Sequence, residues 1–338
     1  MSLSSTPDLL QTAPNAATSA ATAARNEAAA PEPAPPWPNV HAPDAVRTTT
    51  SEASAGSTSQ GHRALRIFLH NPTAMLGCAF LLAVLALALA APWLYPGDPL
   101  DMVAQPFLWP GQDSQFLLGT DSMGRDVAAG IAHGARISLL VGISATLIGL
   151  SLGIGIGSIS GYFGGWVDDV LQRVVVLFQT IPGFILLVVL VAIAQPAIGT
   201  IVMAIGLVTW PTVARLVRAE FRSLREKDFV LAARALGYSH ARIILREILP
   251  NALPPIIVTS SVMVASAILL ESALSFMGMG DPNVVSWGSM IGAGRELLRT
   301  AWYLTAAPGL AIVFAVLAFN LIGDGLNDAL NPRFSQER

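Results

Sequence analysis

Between Arg66 and Asp98 lie 31 residues with no aspartate, glutamate, lysine or arginine. The same holds for 31 residues between Arg136 and Asp168 and for 41 between Arg173 and Arg215. Two further runs, of 23 residues between Glu247 and Glu271 and of 24 between Arg299 and Asp324, complete the pattern. A bilayer core about 30 Å thick is crossed by roughly 20 helical residues. The longest run corresponds to about 60 Å of helix, or two crossings. Its natural break is Gln195-Pro196-Ala197-Ile198-Gly199. The expectation is an all-α integral membrane protein with six spans, near 74–94, 137–160, 173–194, 199–219, 252–276 and 304–323.

Composition narrows the function classes. The chain is 53% hydrophobic and 12% charged, where soluble globular domains run at about 25% charged. An ordinary soluble enzyme of this length is excluded, as is a chain disordered throughout. The net charge of −3 gives no broad electrostatic footprint for nucleic acid. The single cysteine, Cys78, excludes an intramolecular disulfide and a cysteine-rich metal cluster. The single lysine, Lys227, sits in Arg-Glu-Lys-Asp, so no G-x-x-x-x-G-K-[ST] phosphate loop exists. The five histidines show no HExxH spacing, and no Ser-His-Asp or G-x-S-x-G context occurs. These patterns point to a non-catalytic chain with no metal site or cofactor of its own.

Residues 1–62 differ from the rest. They are rich in Ala, Ser, Thr, Pro and Gly, include Pro-Glu-Pro-Ala-Pro-Pro-Trp-Pro, and carry no hydrophobic period. The expectation is a disordered tail, followed by a membrane domain at 63–333 and a short C-terminal tail at 334–338. Basic residues set orientation. Arg222, Arg225, Lys227, Arg234, Arg242 and Arg246 fall in the link between spans four and five, whereas the 95–136 link holds two arginines against five aspartates. The 220–250 loop and both termini are therefore expected on the cytoplasmic side, with the acidic loop outside.

Span two carries Gly149, Gly153, Gly157 and Gly161 at a spacing of four. Small residues on one face let helix backbones approach closely in lipid. Internal helix packing is the plainer reading, and a pathway-lining or subunit-contact face is the sharper one. Pro182, Pro211 and Pro308 lie in or beside spans and are expected to kink them.

The 220–250 loop carries most of the functional information. Asp228 to Leu236 has a helix pattern that ends at Gly237, a residue suited to a left-handed C-terminal cap. Ser239 is suited to capping a second helix, expected to run to Leu249 and stop at Pro250. Val230, Ala232, Ala233 and Leu236 give the first helix a small apolar face. Such a helix can lie on lipid, pack on its own subunit, or dock in a groove of a soluble partner.

With those residues in view, the loop resembles the cytoplasmic loop of ABC-importer permeases, written E-A-A, three residues, Gly, nine residues, I-x-L-P. Ala232, Ala233, Gly237 and the closing Leu249-Pro250 match it; Leu231 stands where that pattern has glutamate, and Ile248 stands directly before Leu249, one place later than the pattern's isoleucine. Other segments are similar to the second permease of the dipeptide/oligopeptide/nickel family. They are Gly119, Thr120, Asp121, Gly124, Arg125 and Asp126 with Gly134 to Leu139, then Glu271 to Gly280, and Phe319 to Arg333. Gly130 departs from an arginine often found in that family.

The resemblance implies a permease subunit of an ATP-driven importer in a bacterial inner membrane, with dipeptides or oligopeptides as cargo. It implies a homologous second permease, two cytoplasmic P-loop ATPases carrying ATP and magnesium, and an extracytoplasmic substrate-binding protein. On that view, Asp228, Ala232, Ala233, Gly237 and Ile248 to Pro250 form the ATPase-coupling loop. Glu271, an acid within an apolar run, is a pathway or structural residue. The alternative is an ion-gradient-driven secondary transporter with Glu271 as its coupling acid. No repeat between 74–194 and 199–323 supports the internal symmetry such carriers often show.

Overall fold

A computed structural model describes residues 65–330. The expected tails at 1–62 and 334–338 lie outside the described residues. A helical turn at 65–70 leads to Asn71, whose side-chain oxygen accepts from the amides of Thr73 (3.0 Å) and Ala74 (3.4 Å). That cap, with proline at the first helical position, starts α1 (Pro72–Leu94). Helices α2 (Val127–Phe163), α3 (Gly165–Thr180), α4 (Gly183–Ala194) and α5 (Ile198–Leu224) follow. After a short helix α6 (Asp228–Ala235) comes α7 (His240–Phe276). Helices α8 (Trp287–Gly294) and α9 (Tyr303–Leu330) complete the described residues. Among them all regular elements are helical, apart from one isolated bridge between Thr120 and Asp126.

Among the described residues five helices, α1, α2, α5, α7 and α9, are long and apolar enough to cross a membrane, and the bent pair α3 and α4 makes a sixth span if the two are counted as one. The second span is longer than the expected 137–160. Its helix begins ten residues earlier, because Arg136 does not interrupt a helix and the Asp126 carboxylate caps the Ala128 amide at 2.8 Å. The third span is not the continuous helix expected at 173–194. It starts at Gly165 and bends by 83° between α3 and α4. Pro182 has no amide to donate, and it forces Ile181 out of the helical region to φ −86°, ψ 129°. Pro211 and Pro308 sit inside unbroken helices.

The glycine seam of α2 packs against α5. A Cβ on Gly149 would lie 2.7 Å from Thr209 Oγ1, one on Gly157 2.5 Å from the Ala214 carbonyl, and one on Gly161 2.6 Å from Phe221 Cβ. Gly153 faces Val213 and Trp210 in the same way. The seam is therefore an internal contact, the plainer of the two readings. Lipid supplies no hydrophobic drive between helices, so this close backbone approach is a direct source of cohesion. Elsewhere, Gly77 of α1 sits against Leu321 and Ala318 of α9, and the side chains of Ile205, Leu187 and Leu274 close a core between α4, α5 and α7.

Gly157→Leu is expected to push α5 off the seam and cost roughly 1–3 kcal/mol. A fall in the detergent-solubilised protein's thermal unfolding temperature measures it. Gly155, with open space around its Cβ position, is the control and is expected to accept alanine with little change.

Candidate functional site: a helix–glycine–helix element and two buried polar clusters

Helix α6 is short, and its inward face holds it. Val230 and Ala233 are buried in a cluster with Tyr162, Val217, Phe221 and Ile248. Asp228, Leu231, Ala232 and Leu236 remain exposed. The apolar face expected from sequence is thus divided between two sides. Leu231, at the position where the importer loop pattern has glutamate, presents an uncharged surface.

The turn after α6 is fixed by its backbone. Gly237 has φ +75°, a region that costs L side chains strain. Its amide donates to the Arg234 carbonyl at 3.0 Å, and the Tyr238 amide donates to the Ala233 carbonyl at 3.1 Å. This pair of bonds is a Schellman cap. The Ser239 hydroxyl then accepts from the Arg242 amide at 3.4 Å and opens α7. The Arg242 guanidinium lies 3.8 Å from the centroid of the Tyr238 ring, which stiffens the turn.

The second helix does not stop at Pro250, contrary to the sequence expectation. It continues through Pro250, Pro254 and Pro255 to Phe276, preceded by a π-helical stretch at Ile243–Ile248. The Leu249 amide donates to the Ile244 carbonyl, five residues back. A proline in α register clashes with the carbonyl four residues earlier, and the wider π turn relieves that clash. Ile248 is buried in the shared cluster, with Leu249 packed beside it and Pro250 exposed. The helix–turn–helix element is therefore fused directly to a span.

The 118–126 motif forms a separate unit. Gly119 and Gly124 both have positive φ (+77° and +80°), and a Cβ at either would strike the backbone of Leu108 or Ala104. Thr120 is fully buried; its hydroxyl donates to the Gln105 carbonyl at 2.6 Å and accepts from the Leu108 amide at 3.0 Å. The Asp121 carboxylate accepts from the amides of Met123 and Arg125, both at 2.8 Å. The Tyr303 hydroxyl of α9 ties this loop down through the carbonyls of Leu108 (3.0 Å) and Thr120 (2.9 Å). Burial raises the Asp126 carboxyl above the usual range, against the amides of Ala128 and Ala129, which act to lower it. The Nε of Arg125 is buried without a hydrogen-bond partner. Together these contacts place the motif's acids and glycines in loop construction.

Glu271, on α7, is 2% exposed and surrounded by serines. Ser275 donates to it at 2.7 Å, Ser138 of α2 at 3.4 Å and Ser272 at 3.5 Å. The Trp287 amide reaches Ser138 at 3.4 Å, and the fully buried Trp287 indole donates to the Ile131 carbonyl at 3.0 Å. Glu271 thus joins α2, α7 and the start of α8. It is distant in sequence from every partner except Ser272 and Ser275, so sequence alone does not reveal the cluster.

Two further groups were not anticipated as structural ties. The Asp281 carboxylate caps α5 from a distant loop, accepting from the Ile198 amide at 3.1 Å. Burial acts to raise that carboxyl, but the amides of Asn283 and Ile198 outweigh it and hold it below the ordinary value. Asp168, in the first turn of α3, is turned inward onto Arg218. Only the first-turn position of Asp168 and the arginines at 218, 222 and 225 signal such ties in the sequence.

The described residues thus form an all-helical domain with a helix–glycine–helix element fused to a span. Residues 153–336 match the family model "Binding-protein-dependent transport system inner membrane component", and residues 59–115 match "N-terminal TM domain of oligopeptide transport permease C". The chain is 38% identical over 272 residues to the "Di/tripeptide transport system permease protein DppC" of Pseudomonas aeruginosa, covering 79% of this chain and 90% of that one. It is 42% identical over 292 residues to the "Probable peptide ABC transporter permease protein y4tQ" of Sinorhizobium fredii, covering 86% and 99% respectively. A solved structure of the MetNI methionine ABC transporter, in an inward-facing conformation, matches with a TM-score of 0.50 at 18% identity. That match covers 60% of this chain and 96% of the other, and it supports the fold. The chain belongs to the family of inner-membrane components of binding-protein-dependent transport systems.

Gly237→Val is expected to strain the turn by about 1–3 kcal/mol with no new steric contact, since nothing lies within 4 Å of its Cβ position. Normal membrane insertion with lost substrate uptake is the expected phenotype. Normal insertion with unchanged uptake contradicts the role given to the turn.

Proposed function

We propose that this chain is the second-type permease of an ATP-driven importer of dipeptides or oligopeptides. It pairs with a homologous permease to form the pathway. Two cytoplasmic P-loop ATPases dock below, holding ATP and magnesium, and an extracytoplasmic binding protein delivers cargo from outside. The protein is a multi-pass inner-membrane subunit, surrounded by lipid, with both termini in the cytoplasm. The carrying observation is α6, seated by Val230 and Ala233 and joined through the Gly237 turn to the start of α7. The absence of a phosphate loop from the sequence supports an energy source on another chain. The names of the relatives, a di/tripeptide permease and a probable peptide permease, support the cargo class.

The geometry of α6 supports a coupling step. The exposed residues Asp228, Leu231, Ala232 and Leu236 form the docking face. A movement of the ATPases carries α6 as a rigid lever, because its turn is capped on both sides. The lever acts on α7 directly, since no flexible link separates them. The uncharged Leu231 implies an apolar contact in the ATPase groove at that point.

The secondary-transporter alternative requires a titrating Glu271. Its serine partners make that residue a tie between helices. In native-membrane vesicles, uptake of labelled alanyl-alanine is expected to stop on ATP depletion and to survive a protonophore. Glu271→Gln, which keeps hydrogen-bonding capacity, is expected to leave uptake within about twofold of wild type. Uptake that survives ATP depletion and is abolished by both the protonophore and Glu271→Gln contradicts the importer assignment.

A further inference from the structure

Helix α3 is weakly held by the bundle. Trp166, Val170, Val174, Val176 and Leu177 are exposed. Its one fully buried apolar side chain is Val175, which packs with Phe178 against Ile156, Trp210 and Ala214, the Phe178 and Trp210 rings 5.3 Å apart. At one end it joins α2 through Gly164 and Gly165, both at positive φ (+67° and +53°). At the other end the break at Pro182 separates it from α4. No continuous helix fixes its direction from either side.

Polar side chains supply what the backbone does not: Gln172 donates to the Ser160 hydroxyl of α2 at 3.3 Å, and one carboxylate does more. Asp168, in the first turn of α3, is 7% exposed. It forms a two-pronged pair with Arg218 of α5, with Nε–Oδ1 and Nη2–Oδ2 both at 2.6 Å. It accepts from the Ser160 hydroxyl of α2, and Arg222 lies 3.9 Å away. A planar fork on a carboxylate sets direction as well as distance. Replacing a buried ion pair with apolar residues is often neutral or stabilising, so packing alone does not require this one.

The same short stretch of α2 reaches the helix–glycine–helix element. Next to Ser160, the carbonyls of Gly161 and Tyr162 accept from Arg225 Nη1 at 3.2 and 3.4 Å, and Arg225 directly precedes the link to α6. The Tyr162 hydroxyl bonds His240 Nδ1 at 2.8 Å at the start of α7. The Arg234 guanidinium of α6 lies 5.3 Å from the centroid of the Tyr162 ring. Residues 160–162 are therefore a junction, with Asp168 on one side and α6 and α7 on the other.

We propose that Asp168 is a positioning residue for transport, locking the loosely held first half of the third span to the element that receives the ATPase stroke. This rests on the importer reading above. When α6 moves, the junction carries α3 with it, and the break at Pro182 lets that half-span turn against α4.

The test uses the complete importer, with its partner permease, ATPases and binding protein, in proteoliposomes. The readouts are ATP hydrolysis, labelled alanyl-alanine uptake, and the distance between spin labels at Asp169 and at Ala235, an exposed α6 position outside the docking face, with and without nucleotide. Asp168→Asn is expected to keep hydrolysis while uptake per ATP falls roughly tenfold, with a label distance that broadens on nucleotide binding. The double change Asp168→Arg with Arg218→Asp is expected to restore part of the uptake, which a role in folding alone does not explain. Arg218→Lys keeps the charge, loses the fork and is expected to fall in between, serving where Asp168→Asn assembles poorly. Wild-type uptake per ATP in both single variants overturns the proposal, as does loss of ATPase co-purification in both. A wild-type complex that shows no ATP-dependent uptake overturns the importer reading instead.

Discussion

The contact on which the rest of the bundle depends is the glycine seam between α2 and α5. Four glycines at a spacing of four leave a groove along one face of α2, and the backbone and side chains of α5 fill it. In lipid no hydrophobic effect draws helices together, so close van der Waals contact and local hydrogen bonds do that work. Once the seam is set, its ends are set too. At one end Ser138 of α2 meets Glu271, and Asp126 caps the helix at its start. At the other end Ser160 to Tyr162 meet Asp168, Arg225 and the helix–glycine–helix element. A long helix thus joins two polar clusters that are separate in sequence and space.

The polar groups divide by what they hold. Glu271 and its serines fasten α2, α7 and α8 without a formal countercharge. Asp168 faces guanidinium groups and fastens a segment that packing leaves loose. Asp281 and Asp126 cap helices from loops. Five acids, Asp121, Asp126, Asp168, Glu271 and Asp281, thus serve as structural ties. The helix–glycine–helix element differs because half of it faces outward. Its inner residues lock it to the bundle, and its outer residues have no partner within the described chain.

Much of this architecture was legible because lipid imposes simple rules. Charge-free runs marked the long helices, since an unpaired charge is costly in hydrocarbon. Gly237 and Ser239 marked the turn, since a left-handed cap and an N-cap each favour few residue types. The bend in the third span was only half legible. Pro182 signalled a kink, but its size depends on what surrounds α3, which local sequence does not encode. Pro250 misled more fully. A proline after an apolar helix reads as a stop, and only the π turn at Ile243–Ile248 lets the chain run on. Asp168 was hidden for a different reason, because its partners lie 8 and 50 residues away and meet only when three helices pack.

On the proposed function, α6 is a docking element for an ATPase and the chain works only as part of a larger assembly. The most direct measurement is to cross-link native membranes, purify the tagged protein in mild detergent and identify what accompanies it. A second six-span permease is expected together with P-loop ATPase subunits, with cross-links from the ATPases falling on Asp228 to Leu236. A homogeneous particle that carries no ATPase after cross-linking contradicts it.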